Sequence, residues 1–177
     1  MKNNGLKYGL LGGLTLTLYL LGLYYVDIKL LTNAVAAYWL PMLAIHPALM
    51  YKAGMDEIAQ KGLKDFRETL RTPFMTFAIA NVFFWLCMYG LHLAAPELVA
   101  IELTQQLDFA QEQLKNGLGD PEQMNKMRQQ INEIQAELQQ PKPQPVGPFI
   151  FSMAIWKILG FGVAAAITAL LRMRSSR

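Results

Sequence analysis

The sequence predicts an all-α integral membrane protein with four transmembrane helices and an extracytoplasmic antiparallel helical hairpin between spans three and four. The composition is 53% hydrophobic and only 16% charged, whereas soluble domains carry about 25% charged residues. The apolar residues form four runs of about 20 residues, the helix length that crosses the ~30 Å hydrocarbon layer. One long polar segment, residues 96–148, separates the last two runs.

The first predicted span, residues 6–26, carries small residues on one face. Gly5, Gly9 and Gly13 recur every four residues, which places them on one side of a helix and lets another helix approach closely. We expect this face to pack against another span of the same chain, with a homodimer seam as the alternative. No small-residue cleavage site follows the run, so we expect the span to be retained as an anchor.

The second predicted span, residues 30–51, is interrupted by Pro41 and Pro47. A kink is expected there, because proline lacks the N–H group that a helix needs. His46 lies beside Pro47, and an ionisable residue at membrane depth is a functional candidate. We prefer the structural alternative, in which a neutral imidazole hydrogen-bonds a carbonyl freed by one of the prolines.

Residues 52–72 are predicted to form an amphipathic connector on the cytoplasmic membrane surface. Its apolar residues recur at three- and four-residue spacing, the period of one helix face. Its other face carries charges of both signs, as in helices that lie in the membrane interface. We prefer an ordinary connector to one that selects particular lipids.

Spans three and four, residues 73–95 and 149–171, each contain a polar residue at membrane depth. Asn81 in span three is of a type that bridges helices more often than it binds a ligand. Lys157 in span four is off-centre, so its ammonium group can extend towards the membrane surface. Span four leads into a basic tail that ends at residue 177, and its small residues favour helix packing: Gly160, Gly162 and Ala166.

The polar segment is predicted to form two helices, residues 97–115 and 121–139, followed by a Pro-rich spacer. Asp120 and Pro121 suit the cap and the first position of the second helix. We prefer a seam buried between the two helices, with a partner helix or the membrane surface as the alternative. The seam follows the alternating three- and four-residue pattern of paired helices and consists of Leu103, Leu107, Leu114, Met124, Met127, Ile131, Ile134 and Leu138.

The distribution of Lys and Arg predicts the orientation. Ten of the 16 lie at the start of the chain (Lys2 and Lys7), in the 52–72 connector or in the tail, and five lie on the opposite side, mostly along the polar segment. Connectors rich in Lys and Arg stay in the cytoplasm. We therefore expect both termini to be cytoplasmic and the hairpin to face outward, into the periplasm if the host is a Gram-negative bacterium.

Several chemistries lack their sequence signatures. There is no P-loop, no dinucleotide-binding glycine pattern, no His/Cys metal-ligand spacing and no nucleophile elbow. We therefore expect no enzyme activity, no cofactor and no metal. Basic and acidic residues are interleaved, which argues against nucleic-acid binding. Cys87 is the only cysteine, so no intrachain disulfide is possible.

Several short stretches follow one another in a characteristic order along nearly the whole chain. They are Tyr8-Gly9-Leu10 with Gly12-Gly13, the charged connector with Gly62 and Phe66, Ala95-Pro96-Glu97-Leu98, Asp120-Pro121-Glu122-Gln123-Met124, and Gly147-Pro148-Phe149. In this order they resemble the bacterial membrane family called domain of unknown function 4199. The resemblance implies four spans in a bacterial inner membrane, and it implies no activity and no catalytic residue.

Two functional hypotheses follow. The first is a non-enzymatic accessory or scaffold subunit of a bacterial envelope complex, which docks through glycine-rich helix faces and the outward hairpin. Its partners would be membrane lipid and other membrane or periplasmic proteins, with a homodimer as a further possibility. The alternative is a small transporter or lipid-handling protein that uses His46, Asn81 and Lys157.

Overall fold

The computed structural model describes residues 3–63, 65–116, 121–142 and 145–175. Within these ranges the chain is all-α, as predicted, and contains no strand. It divides into two compact units, a first unit of Met1–Tyr89 with Val146–Arg177 and a second unit of Gly90–Pro145. The six α-helices of the described ranges are α1 (Asn4–Val26), α2 (His46–Lys61), α3 (Phe66–Ala94), α4 (Pro96–Lys115), α5 (Pro121–Gln139) and α6 (Val146–Ser175).

Three of these helices, α1, α3 and α6, are long and apolar enough to cross a membrane. They contain the predicted spans one, three and four, with shifted boundaries. α3 begins before the predicted Pro73, because the Asp65 carboxylate accepts a hydrogen bond from the Glu68 amide at 2.7 Å and starts the helix earlier. α6 begins before the predicted boundary, so the Pro-rich spacer is shorter than predicted. Pro148 lies in its first turn, where the amide groups lack helical partners in any case.

The predicted second span is not among these three helices, because it is divided into short turns. A 3₁₀ turn over Ile28–Leu31 is followed by two π-helical turns, Val35–Trp39 and Pro41–Ile45, and then by α2. In a π-helical turn each N–H group bonds the carbonyl five residues earlier. One wider turn ends shortly before Pro41 and the other shortly before Pro47, so the kink expected from the sequence is spread over this stretch.

A side chain from α1 compensates for one of these prolines. Pro41 has no N–H group with which to reach the carbonyl of Ala36, five residues before it. The Tyr19 hydroxyl donates a hydrogen bond to this carbonyl at 2.6 Å. The sequence analysis expected His46 to bond a carbonyl freed by one of the prolines. The Ala36 carbonyl instead accepts its hydrogen bond from Tyr19.

The predicted amphipathic helix over residues 52–72 is not a single element. α2 continues to Lys61 and ends at Gly62, whose φ of 78° lies in the left-handed region that favours glycine. α3 then starts at Phe66. The charged connector is thus the end of one helix and the start of the next, and Lys64 lies outside the described residues.

α1 packs against α3 through the predicted glycine face. A Cβ atom added at Gly5, Gly9 or Gly13 would lie 3.0, 2.7 or 2.5 Å from the side chain of Met75, Ile79 or Phe83. Both sets recur every four residues, so one row of glycines faces one row of large side chains. These contacts show α1 packed against another helix of the same chain, which is the arrangement that we preferred from the sequence.

α6 has one packed glycine and one open small-residue face. A Cβ atom at Gly160 would lie 2.0 Å from the Phe77 ring, whereas one at Gly162 would meet nothing within 4 Å. Ala166 is also exposed. The packed side joins the core cluster of the first unit, whose buried members are Met42, Met50, Phe77, Ala164, Ile167 and Leu171.

In the second unit, α4 and α5 pack together through the predicted seam. Val99, Leu103 and Ile134 form its buried cluster, with Leu107 and Leu138 packed against them. The remaining seam residues are buried or partly buried: Leu114, Met124, Met127 and Ile131. The predicted turn at residues 117–119 and the predicted cap at Asp120 lie outside the described residues.

The glycine face of α1 gives a stability prediction. Gly13→Ala should lower the free energy of unfolding by about 1–3 kcal/mol, the usual cost of overpacking, because its methyl group overlaps Cγ and Cβ of Phe83. Gly22→Ala is the matched control on the same helix, where nothing lies within 4 Å, and it should be neutral or stabilising. Unfolding in detergent followed by circular dichroism measures both, and equal effects of the two variants would contradict the packing.

Candidate functional site

A buried asparagine joins the first turn of α1 to the end of α2. Asn3 caps α1 through its side chain, which accepts a hydrogen bond from the Leu6 amide at 3.2 Å. Asn4, only 2% exposed, then donates from Nδ2 to Glu57 Oε2 at 2.9 Å and to Gln60 Oε1 at 3.3 Å. A buried amide needs such partners, because burying it without a hydrogen bond is costly.

One turn along α1, Tyr8 makes a second polar link to α2. Its hydroxyl donates a hydrogen bond to the Asp56 carboxylate, and the Lys7 ammonium lies 4.8 Å from the Tyr8 ring centroid. Lys52 pairs with the same carboxylate at 2.7 Å. The hydrogen bond from Lys52, and then that from Tyr8, hold the pKa of Asp56 below its usual value.

Two further contacts bring α3 and α6 to the same end of the first unit. Thr76 on α3 donates to the Gly5 carbonyl at 3.5 Å, and Arg174 on α6 donates to the Tyr51 hydroxyl at 2.6 Å. We call this the basic end, because its helix termini carry most of the basic residues of the described chain: Lys7, Lys52, Lys61, Arg67, Arg71, Arg172 and Arg174.

A cleft of about 410 Å³ opens at the basic end, where α2 stops and α3 starts. Its volume falls within the range of about 300–1,000 Å³ that is typical of small-molecule sites. Its described lining residues include two carboxylates and two cationic groups, and none of them is aromatic. These are Asn3, Gly54, Glu57, Ile58, Lys61, Gly62, Glu68, Thr69, Arg71, Thr72 and Met75.

The three polar residues predicted within the spans do not line this cleft. His46 is 4% exposed, and its ring centroid lies 4.7 Å from that of Phe77. Asn81 bridges α3 to α6, because its Nδ2 donates to the Met153 carbonyl at 3.3 Å. Lys157 is partly buried on α6. Across the described part of the chain, no hydrogen bond or ion pair joins any two of the three.

A family model described as protein of unknown function (DUF4199) matches residues 7–174. The chain belongs to this family. No curated protein matches the chain, and no solved structure does either. Membership of DUF4199 confirms the resemblance inferred from the sequence, but it assigns no role to any residue, so the roles must come from the geometry.

Sequence reasoning missed the polar links between α1 and α2 in this DUF4199 protein. Tyr8 had stood out only as part of a family stretch, and Asp56 only as one charge of the connector. The available signal was local: Lys52 and Asp56 are four residues apart, as are Glu57 and Lys61, the spacing of ion pairs on one helix. The contacts from Asn4 and Tyr8 could not be read from spacing, since they join residues about 50 positions apart.

The depressed pKa of Asp56 predicts a pH dependence. A carboxyl whose pKa is lower in the folded state stabilises fully above its unfolded value of about 3.9 and loses that effect as the pH falls through the folded value. Asp56→Asn should therefore lower the melting temperature at pH 5–7, and the difference from wild type should shrink below about pH 4. Melting curves across this range measure it, with Asp108→Asn on the exposed face of α4 as control. A difference that stays constant down to pH 3 would contradict the assignment.

Proposed function

We propose that this DUF4199 protein is a non-enzymatic accessory or scaffold subunit of a bacterial envelope protein complex. The observation that carries the proposal is an exposed row along α6, spaced alternately by four and three residues. The residues at the centre of the row are small, and small residues let membrane helices approach closely. The row consists of Ile155, Leu159, Gly162, Ala166, Ala169 and Met173.

The contacts within the chain support a role for this row in binding another protein. The space over Gly5, Gly9 and Gly13 of α1 and over Gly160 of α6 is filled by side chains of α3, but the space over Gly162 is open. A neighbouring helix could therefore approach α6 closely on the Gly162 side. In our proposal a span of another subunit docks there, and a second copy of the chain is the homodimeric variant of the same interaction.

Contacts at the basic end support the proposed four-span topology. α1 starts there and leads away for 23 residues, about 34 Å at 1.5 Å per residue. α2 ends there, since Glu57 contacts Asn4. In our proposal the chain between Val26 and the end of α2 returns over a similar length, and the π-helical turns together with α2 form the second crossing. Pro41 within it is then tolerated because the Tyr19 hydroxyl satisfies the carbonyl of Ala36.

The same end supports the proposed orientation. α1 begins and α6 ends among the basic residues, and Lys and Arg favour the cytoplasmic side. We therefore propose a bacterial inner-membrane location with both termini cytoplasmic and the second unit in the periplasm.

The second unit is proposed to be an antiparallel hairpin. Residues early in α4, Val99 and Leu103, cluster with residues late in α5, Ile134 and Leu138, as antiparallel pairing requires. Because the seam is buried by this pairing, a partner would contact the polar outer faces of the hairpin. Phe109, 63% exposed on α4, is an apolar feature of those faces.

The alternative transporter or lipid-handling role for His46, Asn81 and Lys157 stays a prediction. It needs the three side chains to face one shared path. Asn81 is instead engaged with the Met153 carbonyl and His46 with the Phe77 ring, so these contacts do not favour it.

Co-purification in mild detergent tests the proposal. Gly162→Leu with Ala166→Leu should remove the partner proteins recovered with the wild-type chain, because the bulky side chains fill the open face. Replacing residues 97–139 by a short linker should remove those that contact the hairpin. Gly22→Leu, also at an open position, is the control and should retain them. Recovery of the same proteins with every variant would contradict a scaffold role.

A further inference from the structure

The cleft at the basic end has no place in the scaffold proposal, which concerns α6 and the hairpin. We propose that this cleft binds the headgroup of a zwitterionic aminophospholipid, with Arg71 and Lys61 holding the phosphodiester and the Glu57 and Glu68 carboxylates holding the primary ammonium. The proposal rests on the charge balance of the lining, the identity of its cations and the apolar surface beside it.

Arg71 is the group best placed to bind a phosphate. It lines the cleft and is exposed, and it makes no ion pair or hydrogen bond with another described residue. Its planar guanidinium can donate two parallel hydrogen bonds to a phosphate. Lys61 lies across the cleft on α2, where Glu57 holds its ammonium by a salt bridge. An arginine and a lysine from two helices thus face one space.

The charge balance of the lining favours a ligand that carries both signs. Glu57 and Glu68 offset Lys61 and Arg71, so the described lining residues carry no formal net charge. A purely anionic headgroup would bring its charge close to two carboxylates as well as two cations. A headgroup that carries a phosphate and an ammonium can place each charge beside its opposite, which is the more favourable arrangement.

The lining also distinguishes between ammonium types. Quaternary ammonium groups have no N–H donors and are recognised by aromatic cages, and no aromatic side chain is among the described lining residues. Carboxylates and the hydroxyls of Thr69 and Thr72 are acceptors, which suit a primary ammonium with three N–H donors. The chemistry therefore points to an ethanolamine headgroup in preference to choline.

The surface beside the cleft indicates a membrane lipid as the source of the headgroup. Asn3, which lines the cleft, is followed on α1 by exposed leucines at four-residue spacing, 44–61% exposed. They start within one turn of Asn3, so an acyl chain could follow them from a headgroup in the cleft. A soluble phosphodiester would make no use of this row, which consists of Leu6, Leu10, Leu14 and Leu18.

Native mass spectrometry of the full chain in mild detergent tests the proposal. Dioleoyl phosphatidylethanolamine, phosphatidylcholine and phosphatidylglycerol are added separately at equal concentrations, and the lipid-bound fraction is measured. We expect the ethanolamine lipid to be retained most strongly. Arg71→Gln should weaken its binding about tenfold, the change that about 1.4 kcal/mol produces, and Lys61→Gln should weaken it in the same direction. Arg67→Gln, an exposed arginine of the same helix outside the cleft, is the matched control and should leave binding unchanged.

The soluble arms use glycerophosphoethanolamine and inorganic phosphate as competitors at the lipid concentration, and neither should displace the lipid. Equal retention of the choline lipid, or stronger retention of the glycerol lipid, would overturn the assignment of the headgroup. Full competition by either soluble compound would overturn the membrane source. Unchanged binding in a folded Arg71→Gln variant would overturn the site, with circular dichroism as the check on folding; if that variant does not fold, Lys61→Gln decides. The α6 variants should retain the lipid, so the outcome is separable from that of the scaffold proposal.

Discussion

Close packing of α1 against α3 is the constraint on which the rest of the first unit depends. Inside a bilayer, apolar helices gain little from associating by hydrophobicity, because the lipid is equally apolar, and they are held by van der Waals contact and hydrogen bonds instead. Gly5, Gly9 and Gly13 allow this contact, since each leaves space for a side chain of α3. A methyl group added at Gly9 or Gly13 would overlap a side chain of α3.

Two polar features depend on this placement of α1. Asn4 and Tyr8 reach α2 from the end of the glycine face and contact Glu57 and Asp56. Further along α1, Tyr19 supplies the hydrogen bond that Pro41 cannot make to the Ala36 carbonyl. The close approach of α1 therefore supports both the polar contacts of the basic end and the irregular segment that precedes α2.

The sequence predicted the features that depend on local pattern. Helix periodicity is a local property of the sequence. It therefore allowed us to predict the all-α class, the three apolar helices, the glycine face of α1 and the seam positions of α4 and α5. The predicted connector helix was wrong, since Gly62 and Asp65 act as a helix end and a helix start, and periodicity is insensitive to both. The cleft and the contacts of Asn4 and Tyr8 could not be predicted, because they require knowing which helices meet. His46 was singled out because it is ionisable, but it is the Tyr19 hydroxyl that donates a hydrogen bond to the carbonyl of Ala36.

A double-mutant cycle between Gly9 and Ile79 tests the central claim most directly. A Cβ atom at Gly9 would lie 2.7 Å from Ile79 Cβ, so the cost of Gly9→Ala should depend on the shape of the neighbouring side chain. Unfolding free energies of Gly9→Ala, Ile79→Gly and the double variant should show coupling of about 1 kcal/mol or more, with the double variant more stable than the sum of the single effects predicts. Additivity within about 0.3–0.5 kcal/mol would show that the two residues do not touch and would contradict the account.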